Sequence, residues 1–570
     1  MRPMSRKLLP FTVAVATLAL ALAACGDDNG GCADDPTGPG CSTPLTVPAN
    51  VAVALQGADG ALITWSAVTG ATGYIVQRAG SDNPGAFTQL GAAPVAATQY
   101  DDTGLATGTN YSYRVAATDG ADTTAFTAPV VFSVAAPKVA TLQGNIATDL
   151  TLSADTTYVL KGYVKIVNNR TITIPAGTKI VGDPATPGSS LWILQGSKIV
   201  ASGTAAAPVV FTSAKPAGER KPGDWGGLLI FGKGVVNRTG SITSEGPAGV
   251  TVVYTGGTDN NDDSGVLNYV RIEFAGYDVT GTGQELNALS SYAVGRGTKY
   301  EYIQTLNGVD DSFEWWGGAV DGRYLISYES GDDHFDWTEG YRGRNQYLIA
   351  FQSKRLVPAQ GSGGISTDPQ GMEGDNCGAT EAGCGGGNAT QPFSLPVFAN
   401  FTLVGPGTGV AQSTGGDVGM VIRRGSAGFF THGLVARWSR QGLSVRDAET
   451  GEQLNTRDSL NIVNMLFAEN AANYDADAGA NFGKAAAFAA ANHQAPAAAT
   501  AASLFGNLTP GATLDWTPAA AAGAVGTAVG IPAEYTAAWF GGTLAPAAHF
   551  GAAAPGGTKW WQGWTNYVAD

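Results

Sequence analysis

The sequence predicts an all-β protein in which a small β-sandwich precedes a long coil of short parallel strands, with an Ala-rich C-terminal cap. Three observations carry this. From about residue 46 to residue 470 the apolar residues fall in short runs, such as Ala61–Trp65 and Leu191–Leu194, with no amphipathic helix between them. The 80 glycines and 28 prolines supply turns while apolar residues still make up 44% of the chain, which argues for many tight turns around a core rather than disorder. Finally, an acidic and aromatic motif in the middle of the chain repeats at a constant step.

The N-terminus reads as an address. Arg2, Arg6 and Lys7 precede a mostly apolar run from Leu8 to Ala24, the layout of a secretory signal at residues 1–24. The run is short and Ala-rich for a transmembrane span. Its end, Leu22-Ala23-Ala24-Cys25, resembles the lipobox of bacterial lipoproteins. That resemblance implies cleavage before Cys25 and lipidation of the cysteine by a diacylglycerol and an acyl chain such as palmitate. Gly26 stands where enterobacterial lipoproteins kept in the inner membrane carry an aspartate. The expected location is therefore the bacterial cell envelope, anchored by lipid in the outer membrane, periplasmic or surface-exposed. The membrane is touched only through that lipid. Residues 25–45, mostly Gly, Asp, Pro, Ser and Thr, form a flexible tether.

The formal charge is −15, and loss of the leader removes three basic residues and no acidic one. Such a chain excludes nucleic acid as a partner and suits a cell exterior, where divalent cations bridge carboxylates. Beyond Cys25 the cysteines form two close pairs, Cys32 with Cys41 and Cys377 with Cys384, expected as disulfides in an oxidising compartment. The four histidines, His334, His432, His493 and His549, show no metal-ligand spacing.

Residues 46–136 alternate as a sandwich does. Ala61–Trp65, Gly73–Arg78 and Tyr111–Val115 are strands separated by turn residues. With Trp65, Tyr74, and Leu105 followed by Tyr111-x-Tyr113-x-Val115, the stretch resembles a fibronectin type III domain. The resemblance implies a spacer or binding module and nothing catalytic.

Residues 140–470 have another rhythm. Asp310-Asp311-Ser312-Phe313-Glu314-Trp315 matches Asp332-Asp333-His334-Phe335-Asp336-Trp337 at a step of 22 residues, and Tyr302-Ile303, Tyr324-Leu325 and Tyr347-Leu348 recur at nearly the same step. That length suits one rung of a parallel β-helix, in which equivalent residues stack about 4.8 Å apart. The segments Thr173–Ile180, Gly196–Thr204 and Pro208–Ser213 resemble the opening rungs of right-handed β-helix surface proteins. Asp224-Trp225-Gly226-Gly227-Leu228, Asn268–Gly276, Glu285–Leu289 and the closing Trp561-Gln562-Gly563-Trp564-Thr565 resemble a widespread group of bacterial secreted proteins and lipoproteins. This resemblance implies fold and location rather than activity.

From residue 471 to residue 570 the chain is rich in Ala, Gly and Pro. Lys484–Gln494 is expected as a helix that caps the open end of the coil. Trp560, Trp561 and Trp564 either pack on the solenoid or form a sugar platform, packing being favoured.

Alternation across the doubled motif points Phe313, Trp315, Phe335 and Trp337 into the coil, and Ser312, Glu314, His334 and Asp336 out of it, with Asp310 and Asp332 outward as well. Asp311 and Asp333 fall in turns. Asp310 then pairs with Asp332, and Glu314 with Asp336, at about 5 Å. Carboxylates so close repel unless a cation binds or one keeps a proton. Calcium is the first candidate ligand of Asp310, Glu314, Asp332 and Asp336, and of the oxygen-rich loop Asp259, Asp262 and Asp263. Turn-shaping, hydrated side chains are an equal alternative at both places.

The catalytic candidates are Asp310, Asp332, Asp336 and His334, a set that suits a glycoside hydrolase. Asp332-Asp333 and Thr431-His432-Gly433 are similar to elements of β-helical polygalacturonases, but no Asn-Thr-Asp or Arg-x-Lys element accompanies them. A lyase needs calcium and a basic residue, for which Arg323, Arg342 and Arg344 are candidates, although neutralising nearby carboxylates is their more ordinary role. The leading expectation is a lipoprotein that binds an extracellular polymer, a carbohydrate, or another envelope protein, without catalysis. The alternatives are an anchored polysaccharide hydrolase or lyase, and a substrate-capturing partner of an outer-membrane transporter.

Overall fold

The computed structural model describes residues 44–568 except 57–58, 93, 137, 279–283, 408, 411–414, 476–483, 496–499, 512 and 520–530. The leader, Cys25 and the Cys32–Cys41 pair lie outside the described residues. The chain divides into two compact units after Ala136.

The first unit is a β-sandwich of a three-stranded and a four-stranded antiparallel sheet. Alternation buries Ala61, Ile63, Tyr74, Val76, Tyr113 and Val115 between the sheets, with Trp65 against Tyr74 at 5.3 Å. Tyr111 Oη accepts from the Ala106 amide at 2.9 Å, the corner bond of a fibronectin type III fold. Buried Asp102 accepts from Tyr113 Oη at 2.8 Å and from Arg78 at 2.9 Å, so its charge is fully met.

The second unit is a parallel β-helix whose short strands join in one 26-stranded sheet. The repeated motif is one rung, with Phe313 opposite Phe335 and Trp315 opposite Trp337. These rings stack inside the coil beneath the strands, Phe313 lying 5.3 Å from Phe335. The Trp337 indole has room because Gly374 follows it in the next rung, where a Cβ would lie 2.2 Å from the ring. The tyrosines form a second ladder, with Tyr269, Tyr302, Tyr324 and Tyr347 stacked at 4.3, 4.5 and 5.1 Å. Each of them has a positive φ, between 50° and 62°. A bulky residue in this region is strained. Here the strain falls at the same point of successive rungs, bending each strand so that its halves lie on different faces of the coil.

Strand pairing continues past residue 470, to Ala472–Tyr474 and His493–Gln494. The helix Ala485–Ala491 inserts Phe488 into the end of the coil's core beside Tyr474, 5.6 Å away. Beyond this helix the chain does not continue as a cap. From Phe505 it runs back along the flank, burying Trp516, Phe550, Trp561 and Trp564 against Phe274, Tyr328 and Phe351. Trp560 sits 5.1 Å from Tyr324 and Trp564 5.6 Å from Tyr269, so these tryptophans pack on the solenoid. Among the described residues no helix is long and apolar enough to cross a membrane.

Candidate functional site

On the outer face of the coil, Ser290, Glu314, Asp336, Glu373 and Val421 occupy one register row across five rungs. Two residues along, Phe231, Tyr292, Trp316 and Thr338 form a parallel row, its rings stacked at 4.8 and 4.2 Å. An aromatic wall therefore borders an acidic strip. The expected pairing of Glu314 with Asp336 is present. The face is nevertheless not an open one.

The segment between Gly232 and Gly257 folds over it, Tyr254 packing 4.9 Å from Tyr292. Tyr254 Oη donates to Glu339 Oε2 at 2.7 Å, Arg238 donates to Glu339 Oε1 at 2.5 Å, and the Glu245 amide donates to Tyr292 Oη at 3.3 Å. The result is a cleft of about 480 Å³, with Glu314, Asp336 and Glu373 on its floor and Glu245, Trp316, Arg423 and Arg424 on its walls. The outward row is thus partly enclosed by an insertion, and Asp336 keeps some exposure to the cleft.

Three groups of carboxylates come within 4.8 Å of one another: Asp310, Asp311 and Asp332; Asp311, Glu314 and Asp336; Asp333, Asp336 and Glu373. Burial is the main force on all of them. It holds the carboxyls of Asp310, Asp311, Glu314, Asp333, Glu373 and Glu245 well above their usual range, with neighbouring carboxylates adding to the effect. Asp336 is pushed up to about 8 by burial and by Asp375, against the pull of Arg423. Asp332 is pushed up to about 7 by burial, against a hydrogen bond from Ser366. This cluster cannot be fully ionised by itself. It takes up protons or a cation.

The donor set fits a hard cation. Asp336 Oδ1, Glu373 Oε1, Asp332 Oδ1 and Glu245 Oε2 are buried without a hydrogen-bond partner among the described residues. Oxygen is the only ligand type in the three groups, which suits calcium and not zinc. The far side of the cleft is neutralised by arginine. Arg423 donates to Glu373 and, at 2.9 Å, to Asp375, while Arg424 donates to Asp375 at 2.7 Å and Glu381 at 3.3 Å. The Cys377–Cys384 disulfide closes the loop that carries Glu381.

The turn aspartates have another task. Asn287 Oδ1 accepts from the Asp311 amide at 3.1 Å, Asp311 Oδ1 from the Asp333 amide at 2.8 Å, Asp333 Oδ1 from the Gln370 amide at 2.5 Å, and Gln370 Oε1 from the Val418 amide at 3.0 Å. Each side chain ties its rung to the next, meeting an amide that the turn leaves unpaired.

The structure does not bring His334 to the carboxylates. Its Nδ1 meets Ser327 Oγ at 2.6 Å and its ring abuts Trp438, and burial lowers it to about 3, so it is neutral. This corrects its expected outward placement. The reason is that the strand begins at Phe335, so His334 lies in the turn, outside the alternation. Asp259, Asp262 and Asp263 do not converge either. Asp263 pairs with Lys198 at 2.6 Å and accepts from the Gly265 amide, Asp259 accepts from the Asn261 amide, and Asp262 meets Ser264 at 3.2 Å, so each shapes its own loop. Arg323 pairs with Glu301, while Arg342 and Arg344 line a different pocket. Glu245, Glu373, Asp375, Arg423 and Arg424 join the site without having been expected from the sequence. The one signal was Met372-Glu373-Gly374, which alternates like Phe335-Asp336-Trp337 without its spacing.

Several known proteins are similar to parts of this chain. A 78-residue stretch is 41% identical to a poly(3-hydroxybutyrate) depolymerase of Delftia acidovorans, covering 13% of this chain and 14% of that protein. A solved Fn3-like protein from Clostridium thermocellum is 32% identical over 16% of this chain and 92% of its own, with a TM-score of 0.15. The structure of a pectate lyase from Erwinia chrysanthemi in complex with tetragalacturonic acid aligns with 79% of this chain and 98% of its own at 9% identity and a TM-score of 0.14. Residues 144–519, which take in nearly all of the coil and every carboxylate of the cleft, match the family model of the pectate-lyase-like β-helix domain, and the chain belongs to that family.

Proposed function

We propose that this chain is an envelope-anchored lipoprotein that binds an extracellular carbohydrate polymer in the acidic cleft, with calcium as its cofactor. One observation carries the reading: three buried carboxylate oxygens without partners, on Glu245, Asp336 and Glu373, line a cleft whose other wall is a stack of aromatic rings. A sugar presents hydroxyls that meet carboxylates and C–H faces that meet aromatic rings. Glu314, Asp336 and Glu373 would hold the cation, which supplies positive charge to oxygens of the polymer. Trp316 would support a sugar ring, while Arg423 and Arg424 keep the far carboxylates from repelling the ligand. The lipid at Cys25 would hold the chain at the membrane and the sandwich would act as a spacer.

Hydrolysis is the second reading, favoured by the raised pKa of Asp336 beside Glu314. A carboxyl that keeps its proton at neutral pH can act as a general acid. Carboxylates within 4.8 Å of one another lie nearer the roughly 5 Å separation of retaining enzymes than the wider spacing of inverting ones.

A glycan-array screen with product analysis, run with calcium and with EDTA, tests both readings. Calcium-dependent binding without new reducing ends, lost in Asp336→Asn, is the expected result. Reducing ends released by the wild type and not by Asp336→Asn would establish the second reading. Binding that ignores both EDTA and Asp336→Asn would remove the cleft from either.

A further inference from the structure

A second cavity, of about 400 Å³, opens around the corner of the same rungs, walled by Arg296, Arg342, Arg344, Leu395 and Tyr535. Its charge is unbalanced in the opposite sense to the acidic cleft. Asp321 is the buried carboxylate beside it, and Arg344 makes the hydrogen bonds to it, donating from Nε at 3.0 Å, from Nη2 at 2.5 Å and from its amide at 3.0 Å. Arg296 Nε lies 3.9 Å from Asp321 and has no hydrogen-bond partner among the described residues.

The other two guanidiniums are held in place by the backbone. Arg296 donates from Nη2 to the Arg342 carbonyl at 2.9 Å, and Arg342 donates from Nε to the Phe393 carbonyl at 3.1 Å. These bonds orient the arginines without neutralising them. Among the described residues no carboxylate lies within ion-pair distance of Arg342, and Glu534 at the rim is exposed. Burial pulls both Arg296 and Arg342 below the usual arginine range; at Arg296 the attraction of Asp321 opposes this and the repulsion of Arg344 adds to it. Like charges crowded in a half-buried pocket of an acidic protein are the arrangement an anion relieves.

We propose that this pocket binds a phosphorylated sugar, its phosphate held between Arg296 and Arg342 and its ring against Tyr535 and Leu395. Three guanidiniums, of Arg296, Arg342 and Arg344, share the single buried carboxylate of Asp321, and the positive charge left over matches a group carrying close to two negative charges better than a single carboxylate. The space left beside them is lined by aromatic and aliphatic side chains, more than a bare inorganic ion would fill. The site stands apart from the acidic cleft and does not depend on the function proposed for it.

The test is calorimetric titration of the full chain with glucose 6-phosphate, inorganic phosphate, glucuronate and glucose. Glucose 6-phosphate is expected to bind, to weaken as salt rises, to lose about tenfold or more in Arg342→Gln, and to be indifferent to Asp336→Asn. Should Arg342→Gln fail to fold, the wild type still decides: glucose 6-phosphate must protect Arg342 from phenylglyoxal, and glucose must not. A phosphomannan arm separates the two sources of this chemistry, a polymer-borne unit if it binds and a free sugar phosphate if only the monomer does. No binding of glucose 6-phosphate, or no protection of Arg342, would overturn the site. Glucuronate binding equally well would overturn the phosphate, and inorganic phosphate binding equally well would overturn the sugar.

Discussion

Asp336 sits opposite Glu314 and Glu373 in the register of the coil, with Asp375 beyond it, and its carboxyl is pushed up to about 8. In the unfolded chain an aspartate releases its proton near pH 3.9. Between those values the folded chain binds the additional proton, so stability conferred by the group is complete below about pH 4 and is lost as pH rises through about 8. Asp332, pushed up to about 7, acts in the same sense over a narrower window. In EDTA the melting temperature is therefore expected to fall from pH 5 to pH 8, and calcium is expected to restore it by taking the place of the protons. Asp336→Asn, which has no proton to lose, should flatten the slope. A profile in EDTA that is level for the wild type would show that the cluster is relieved by other means.

Arg423 works against this accumulation of charge. Its guanidinium touches Glu373 and Asp375, both buried, so Arg423→Met leaves Glu373 without its counter-charge while Asp375 keeps Arg424. Removing one partner of a buried pair costs about 3–5 kcal/mol. Urea denaturation at pH 8 should show a loss of that size, shrinking at pH 5 where the orphaned Glu373, whose carboxyl burial already raises, can take a proton.

At the scale of the element, the run Asn287, Asp311, Asp333 and Gln370 makes a physical distinction that residue type alone does not make. Asp311 and Asp333 act through one carboxylate oxygen, as the amides at either end of the ladder do. Asp311→Asn keeps that acceptor and removes a buried charge, so it should be neutral or stabilising. Asp311→Ala leaves the Asp333 amide without a partner, at a cost of about 1–3 kcal/mol. Equal losses in the two variants would mean that the charge itself is needed, as a cation ligand.

The same ladder explains what could be read from the sequence. Asp311 and Asp333 are 22 residues apart, and this undecorated rung made the coil and the Glu314–Asp336 pairing legible. From Asp333 to Gln370 the step is 37 residues, and from Gln370 to Val418 it is 48, because loops leave the coil between strands. Register survives such insertions in space but not in spacing, so Glu373 could not be aligned with Asp336. Arg238, Glu245 and Tyr254 were illegible for another reason. They arrive on an irregular segment whose only periodic feature is its return to the coil. His334 misled because alternation was carried one residue past the start of the strand.

For the coil as a whole, the decisive packing is between its flank and its own C-terminal segment. Gln304 Nε2 donates to the Asn566 carbonyl at 2.6 Å, Asn400 Nδ2 donates to the carbonyls of Ala547 and His549 at 3.0 and 2.9 Å, and Asn566 Nδ2 donates to Glu273 at 3.1 Å. The order of these contacts shows the chain retracing its own rungs, its last residues reaching back to strands laid down nearly 300 positions earlier. A solenoid of this kind otherwise depends on neighbouring rungs alone. The returning segment adds contacts of very long range and covers a ladder of aromatic rings that would stand exposed without it. Trp564, fully buried against Tyr269, is the natural place to test this. Trp564→Ala should cost about 3–5 kcal/mol. The same variant should bring dye-binding apolar surface and early proteolysis between Phe505 and Val568, because loosening one end of the segment frees the rest. If protease instead attacks wild type and variant at the same rate and sites, the segment is held rung by rung, and the coil's cooperativity does not depend on it.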